Sequence, residues 1–170
     1  MANAEQLNLI KQGVKTWNQW REQNSNIKPD LSESDLRQVD LQKANLSYAN
    51  LNKGKLQFSN LVRTNLKESS LKKTKFQEAN LQNANLKSAN ISGANMFEAN
   101  LENADLEHAN LEGVQFSEDV LLYKTNLKGA NLKGATGLSS SQIELAITDN
   151  KTKLPEYLEE EKDDDFLLQM

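Results

Sequence analysis

Few side chains in this 170-residue chain could do covalent chemistry. There is one histidine, His108, and no cysteine. Without cysteine there is no disulfide, thiolate zinc site, iron–sulfur cluster or thiol nucleophile, which fits a reducing, cytoplasmic setting. His108 occupies an outward place in the pattern described below, so it is expected to be a solvated side chain rather than an acid or base. No glycine-rich phosphate loop, metal-spaced cluster or nucleophile–base pair occurs. No catalytic, cofactor or metal residue is assigned, and the chain is expected to be a non-enzyme without a small-molecule substrate.

What remains is charge and exposed aromatic surface. Glu78, Glu98 and Glu118 recur every 20 residues, with Phe58 in the same register and Phe97 beside Glu98. An aromatic pair beside an acidic strip is the kind of place where a partner protein docks. Lys53, Lys55, Lys72, Lys73 and Lys75 form a basic cluster. Residues 37–75 carry nine Lys or Arg against Asp40 and Glu68, a net of +7. Residues 76–120 carry eight acids against Lys87, a net of −7. Such columns also keep a β-rod soluble and deter sideways pairing. The lysine cluster is short and lacks interleaved aromatics, which disfavours nucleic acid. Exposed stacked glutamates would hold a cation only weakly.

The element that must position these groups is a repeat of five. Large apolar residues run without a miss from Leu31 through Leu36, Leu41 and onward to Phe116. One residue is inserted near 117–119, and the series resumes at Leu122, Leu127 and Leu132, giving 21 repeats. The residue two before each is small, out of type only at Pro29. The residue between is Asn or Asp in 16 of the 21. A helix would rotate successive leucines by roughly 140° and leave no apolar stripe. A straight strand would send alternate leucines to opposite faces. A short extended piece followed by a corner turns the small and large residues inward and leaves Asn or Asp outward, where it can bond nearby backbone. Phe76, Met96 and Phe116, spaced by 20, predict four sides per coil, with these three stacked on one wall. The predicted rod has about five coils, each rising about 4.8 Å.

A rod of this kind exposes its core at both ends unless they are covered. Residues 4–23 read as one amphipathic helix, with Leu7, Ile10, Val14 and Trp17 on a face widened by Leu9, Gly13 and Trp20. It is predicted to fold over the first coil with Trp17 or Trp20 against the leucines. Its polar face is short of cations, which argues against a membrane-surface role. After Gly137, Ser139 and Gln142 look like a capping box opening a short helix to about Ile147. Ile143, Ala146 and Ile147 are expected to cover the last coil, with Leu154 and Tyr157 beside it. The expected divisions are 1–26, 27–136, 137–158 and an acidic, disordered tail at 159–170. No apolar run approaches the roughly 20 residues of a membrane span, and the N-terminus does not read as a secretion leader.

The runs Ala44-Asn45-Leu46, Ala79-Asn80-Leu81, Ala84-Asn85-Leu86 and Ala104-Asp105-Leu106 resemble the A(D/N)LXX unit of the pentapeptide-repeat family. The resemblance covers residues 29–136. It implies an all-β solenoid, the right-handed quadrilateral β-helix, with helical caps. The flanks are similar to those of cyanobacterial members, through the Trp-containing helix and Gly137-Leu138, Gln142-Ile143-Glu144 and Thr152-Lys153-Leu154-Pro155. It implies a protein–protein interaction scaffold with an unknown protein partner; no cofactor is expected, and the capped ends favour a monomer, with side-by-side association through Phe58 and Phe97 as the alternative. Some members, the quinolone-resistance proteins, resemble acidic duplex rods and bind DNA gyrase. That alternative is a DNA-mimicking inhibitor or protector of a topoisomerase, but this chain has a +7 segment where a mimic is acidic. A hydrolase would need an inserted loop, and the one insertion is a single residue.

Overall fold

The computed structural model describes residues 1–159. The acidic tail expected at 159–170 lies, beyond Glu159, outside them. From residue 30 onward the chain turns a corner in each repeat. The carbonyl of the central residue accepts the N–H three residues on, as in Ala44 N to Leu41 O at 2.9 Å and Ala89 N to Leu86 O at 3.0 Å. The third corner residue is left-handed, with φ from 54° at Glu68 to 66° at Gly134. A positive φ there and a negative one before it is the type II pattern. Sixteen such corners among the described residues carry a side chain at this position. None of the sixteen is Val, Ile or Thr, whose branched Cβ fits the left-handed region worst.

The small share of Gly is offset at twelve of these sixteen corners by an Asn or Asp ahead of the turn, while those at Phe58, Lys73, Glu78 and Lys124 follow Lys55, Ser70, Lys75 and Leu121. The Oδ1 of all sixteen Asn and Asp residues accepts the backbone N–H two residues on, at 3.0–3.3 Å. These side chains are half-buried rather than fully outward over most of the rod, because they bond the corner and one another. Asn50 Nδ2 donates to Asp30 Oδ1 at 3.1 Å, and Asn126 Nδ2 to Asp105 Oδ1 at 3.0 Å.

The same positions pair in parallel with the residue 20 further on, from Asp30 with Asn50 to Asn95 with Gln115. Pairing is through isolated bridges, since the chain turns before a second residue can join. Each 20-residue rung thus lies on the next. Bridges that span the inserted residue, from Asn100 with Leu121 to Gln115 with Thr136, have a register of 21, and beyond the last repeat Asn126 pairs with Ile147 and Asn131 with Lys153. Phe76 N donates to Asn95 O and Met96 N to Gln115 O, both at 2.8 Å, so Phe76, Met96 and Phe116 lie over one another in the core. The inward hydroxyls are not free. Ser34 and Ser59 bond the carbonyl three residues back, while Thr64 and Thr74 bond Leu41 and Leu51 of the rung before.

The N-terminal segment is two helices, not one. Helix α1 is Ala4–Lys11 and helix α2 is Val14–Gln23, broken at Gly13 with φ 115°. A side chain is disfavoured at that φ, which is why glycine stands there. The break lets each helix follow the rod. Trp17 is fully buried and its Nε1 donates to Asn45 O at 2.8 Å. Trp20 packs on Trp17 with centroids 5.2 Å apart. Arg21 is also buried, a residue the apolar pattern did not select. It donates to Ile27 O at 2.7 Å and to Ser47 O at 3.3 Å, and burial pushes its guanidinium below the usual pKa.

At the other end the capping box is present, and helix α3 is Ser140–Leu145. It ends before Ile147, which pairs with Asn126 and is exposed rather than covering the core. Ile143 is buried as expected. Tyr157 is exposed, with its hydroxyl bonded to Leu138 N at 3.1 Å, and Leu158 takes the buried place instead. Gln142 Nε2 donates to Ser117 O, Glu118 O and Val120 O, closing the wider corner made by the insertion.

Candidate partner surfaces

Stacked rungs turn sequence positions 20 apart into columns, so surface chemistry is organised by corner. The corner following Leu36, Leu56, Phe76 and Met96 carries the aromatic and acidic side chains. Phe58 N donates to Gln77 O at 3.0 Å, and Glu78 N to Phe97 O at 2.9 Å. Phe58, Glu78 and Glu98 therefore share one column, and Phe97 lies in the adjoining column of the same corner. Phe58 is 52% exposed and Phe97 42%. A shallow depression of about 340 Å³ opens beside Phe58, lined also by Asp35, Arg37 and Gln38.

Glu118 departs from that column. Val120 N bonds Ser117 O at 3.1 Å, so the corner there turns through Glu118 and Asp119, and unlike the other corners neither of these is left-handed. Glu98 N accordingly finds the Ser117 hydroxyl, at 2.9 Å, rather than a backbone carbonyl. Glu118 stays at the foot of the same corner but outside the ladder.

The lysines gather around the neighbouring corner and the side that follows it. Lys53 N donates to Lys72 O at 2.8 Å, and Lys55 is bridged to Lys75. Lys73 follows Lys53 in the left-handed column, above Gly93. Elsewhere charges alternate. In the column of Lys67, Lys87 and Glu107, Lys87 Nζ donates to Glu107 Oε2 at 2.6 Å. That bond raises the Lys87 pKa and lowers that of Glu107. His108 is exposed, with Nε2 3.5 Å from Glu107 Oε1, and its ring fills the space a side chain at Gly129 would need.

One surface was missed. Leu121, Tyr123, Leu145 and Ile147 are all large, apolar and exposed. Lys124 N bonds Leu145 O at 2.8 Å, which sets Leu145 in the column below Tyr123. Leu121 was visible as an exception at an Asn position. Leu145 and Ile147 fall beyond the last repeat, so their register was not readable. No helix among the described residues is long and apolar enough to cross a membrane.

A family model described as pentapeptide repeats matches in eight copies at residues 28–57, 59–96, 84–119 and 94–136. The chain belongs to the pentapeptide-repeat family. Solved pentapeptide-repeat structures are similar to it. Alr5209 from Nostoc PCC 7120 is 23% identical over 84% of this chain and 85% of its own, with TM-score 0.38. HetL, involved in heterocyst differentiation regulation in the cyanobacterium Nostoc sp. strain PCC 7120, is 26% identical over 69% and 68%, with TM-score 0.25. QnrB1, a plasmid-mediated fluoroquinolone resistance protein, is 17% identical over 81% and 88%, with TM-score 0.33. Comparison with curated proteins gave no match.

Proposed function

We propose that this pentapeptide-repeat protein is a non-enzymatic scaffold that presents columns of side chains to a protein partner. In this reading residues 27–136 form a right-handed quadrilateral β-helix. Segments 1–26 and 137–158 cover its ends, and the protein works as a cytoplasmic monomer. The observation that carries the proposal is the corner strip of Phe58, Glu78, Phe97 and Glu98. Two aromatic rings exposed by about half sit there within a fold that buries every central residue of its repeats and leaves Tyr48, Leu121 and Tyr123 as their other large exposed side chains. Exposed aromatics beside charge supply both the apolar anchor and the polar rim of a docking site.

The test is affinity capture from extracts of the source organism, comparing the wild type with a Phe58→Ser/Phe97→Ser variant. A defined set of proteins held by the wild type and lost by the variant supports the strip. Recovery of the same set by both removes it as the contact surface. DNA mimicry is not favoured, because the Lys53–Lys75 rungs place five ammonium groups where a duplex mimic needs anions.

A further inference from the structure

The corners that follow Lys55 and Lys75 break a rule that sixteen corners of the rod keep. Both lysines occupy the position where sixteen Asn or Asp residues bond the next corner. Among the described residues, no side chain takes that place at the corners entered by Gln57 and Gln77. At both corners the glutamine Oε1 is buried with no hydrogen-bond partner. Like charges are also stacked, since the bridge holds Lys55 directly over Lys75 and Lys73 follows Lys53. None of the five lysines forms an ion pair among the described residues. Asp35, stacked above Lys55, is instead held by Arg37, with Nη2 to Oδ2 at 2.6 Å. Missing caps, orphaned acceptors and unpaired repulsion all weaken the fold locally, and a local conflict without structural return marks a functional position.

We propose that Lys53, Lys55, Lys72, Lys73 and Lys75 form a docking surface for an acidic segment of a partner protein. The proposal rests on the scaffold reading but not on the Phe58–Phe97 strip. Five ammonium groups on two rungs match a short run of carboxylates. The patch is too short to follow a nucleic-acid backbone, and it has neither the arginine forks nor the stacking rings such a groove uses. Glu78, Glu98 and Glu112 lie beside or below it and would repel a long polyanion laid down the rod. An ammonium is a point charge, so recognition by charge density rather than by sequence is expected.

Fluorescence anisotropy of a labelled hexaglutamate peptide against the full chain at low salt tests this. Binding is expected with the wild type, at least tenfold weaker with Lys55→Asn/Lys75→Asn, and unchanged with Phe58→Ser/Phe97→Ser. Asparagine is the residue that caps other corners of this rod, so the lysine variant should melt no lower than the wild type, and lost binding would not be lost folding. No measurable binding to the wild type, or equal binding by the lysine variant, overturns the proposal. So does tighter binding of a labelled 20-base-pair duplex, which would make the ligand a nucleic acid. A tenfold gain in peptide affinity on removing residues 160–170 would make the chain's own acidic stretch the occupant, which also overturns it.

Discussion

Asp35 shows how much work one small acid does on this rod. Its Oδ1 accepts both the Arg37 backbone N–H at 3.3 Å and Nε at 2.8 Å, and its Oδ2 accepts Nη2. The forked bond from Arg37 holds its pKa down to about 2. A folded pKa below the unfolded value of about 3.9 means the charged form stabilises the fold above about pH 4. That contribution fades as pH falls toward 2. Asp35→Asn keeps the corner bond and loses only the ion pair. It should lower the melting temperature slightly at pH 7 and not at pH 2, and an equal offset at both would contradict the assignment. Gly137 is the opposite case, where backbone geometry decides. With φ 79°, a Cβ there would lie 2.1 Å from Phe116 O. A backbone atom cannot step aside cheaply, so Gly137→Ala should destabilise by roughly 2 kcal/mol or more in denaturant titration.

The corner is the element on which the rest is built. Its left-handed residue costs a side-chain-bearing position about 1–2 kcal/mol, and the Asx bond ahead of it helps to offset that cost. Glycine would relieve the strain but lose about as much through the freedom of the unfolded chain. Ser88, with φ 56°, makes the comparison clean because it is one polar corner among many. Ser88→Gly should be near neutral, whereas Ser88→Val should cost about 1–2 kcal/mol. Thermal melts in which the valine variant matches the glycine variant would show that the corner is not held left-handed in solution.

At the scale of the whole molecule, rungs support only their neighbours, so damage in the middle spreads to both sides. Leu86 is fully buried and Asn83 is exposed three residues away. Leu86→Asp buries a charge among leucines and should unfold the adjoining rungs, with a loss of at least the 2–5 kcal/mol typical of emptying such a site. Asn83→Ser should change stability by less than about 1 kcal/mol. Superimposable melting curves for the two would contradict the inward and outward assignment. The same stacking turns a sequence with net +7 followed by net −7 into a rod with a charge gradient along its axis. It also lets two surfaces of different chemistry be tested by separate variants.

How far the sequence reaches depends on what a feature is made of. The inward leucines, the 20-residue register and the stacked Phe76, Met96 and Phe116 follow from spacing alone, because only one bend per repeat buries every large residue. The grouping of Phe58 with Glu78, and of Lys55 with Lys75, follows from the same arithmetic. Features that depend on backbone groups being left without partners were not legible. Arg21 is buried because its guanidinium reaches the carbonyls of Ile27 and Ser47, and the break at Gly13 rests on a backbone angle that no apolar spacing records. Gln142 closes a corner that exists only because of the insertion, and Ile147 is exposed because α3 ends early and its strand rejoins the ladder. Periodicity determines which side chains share the core. Only the folded backbone decides which amides and carbonyls still need a partner, and therefore which residues depart from the pattern.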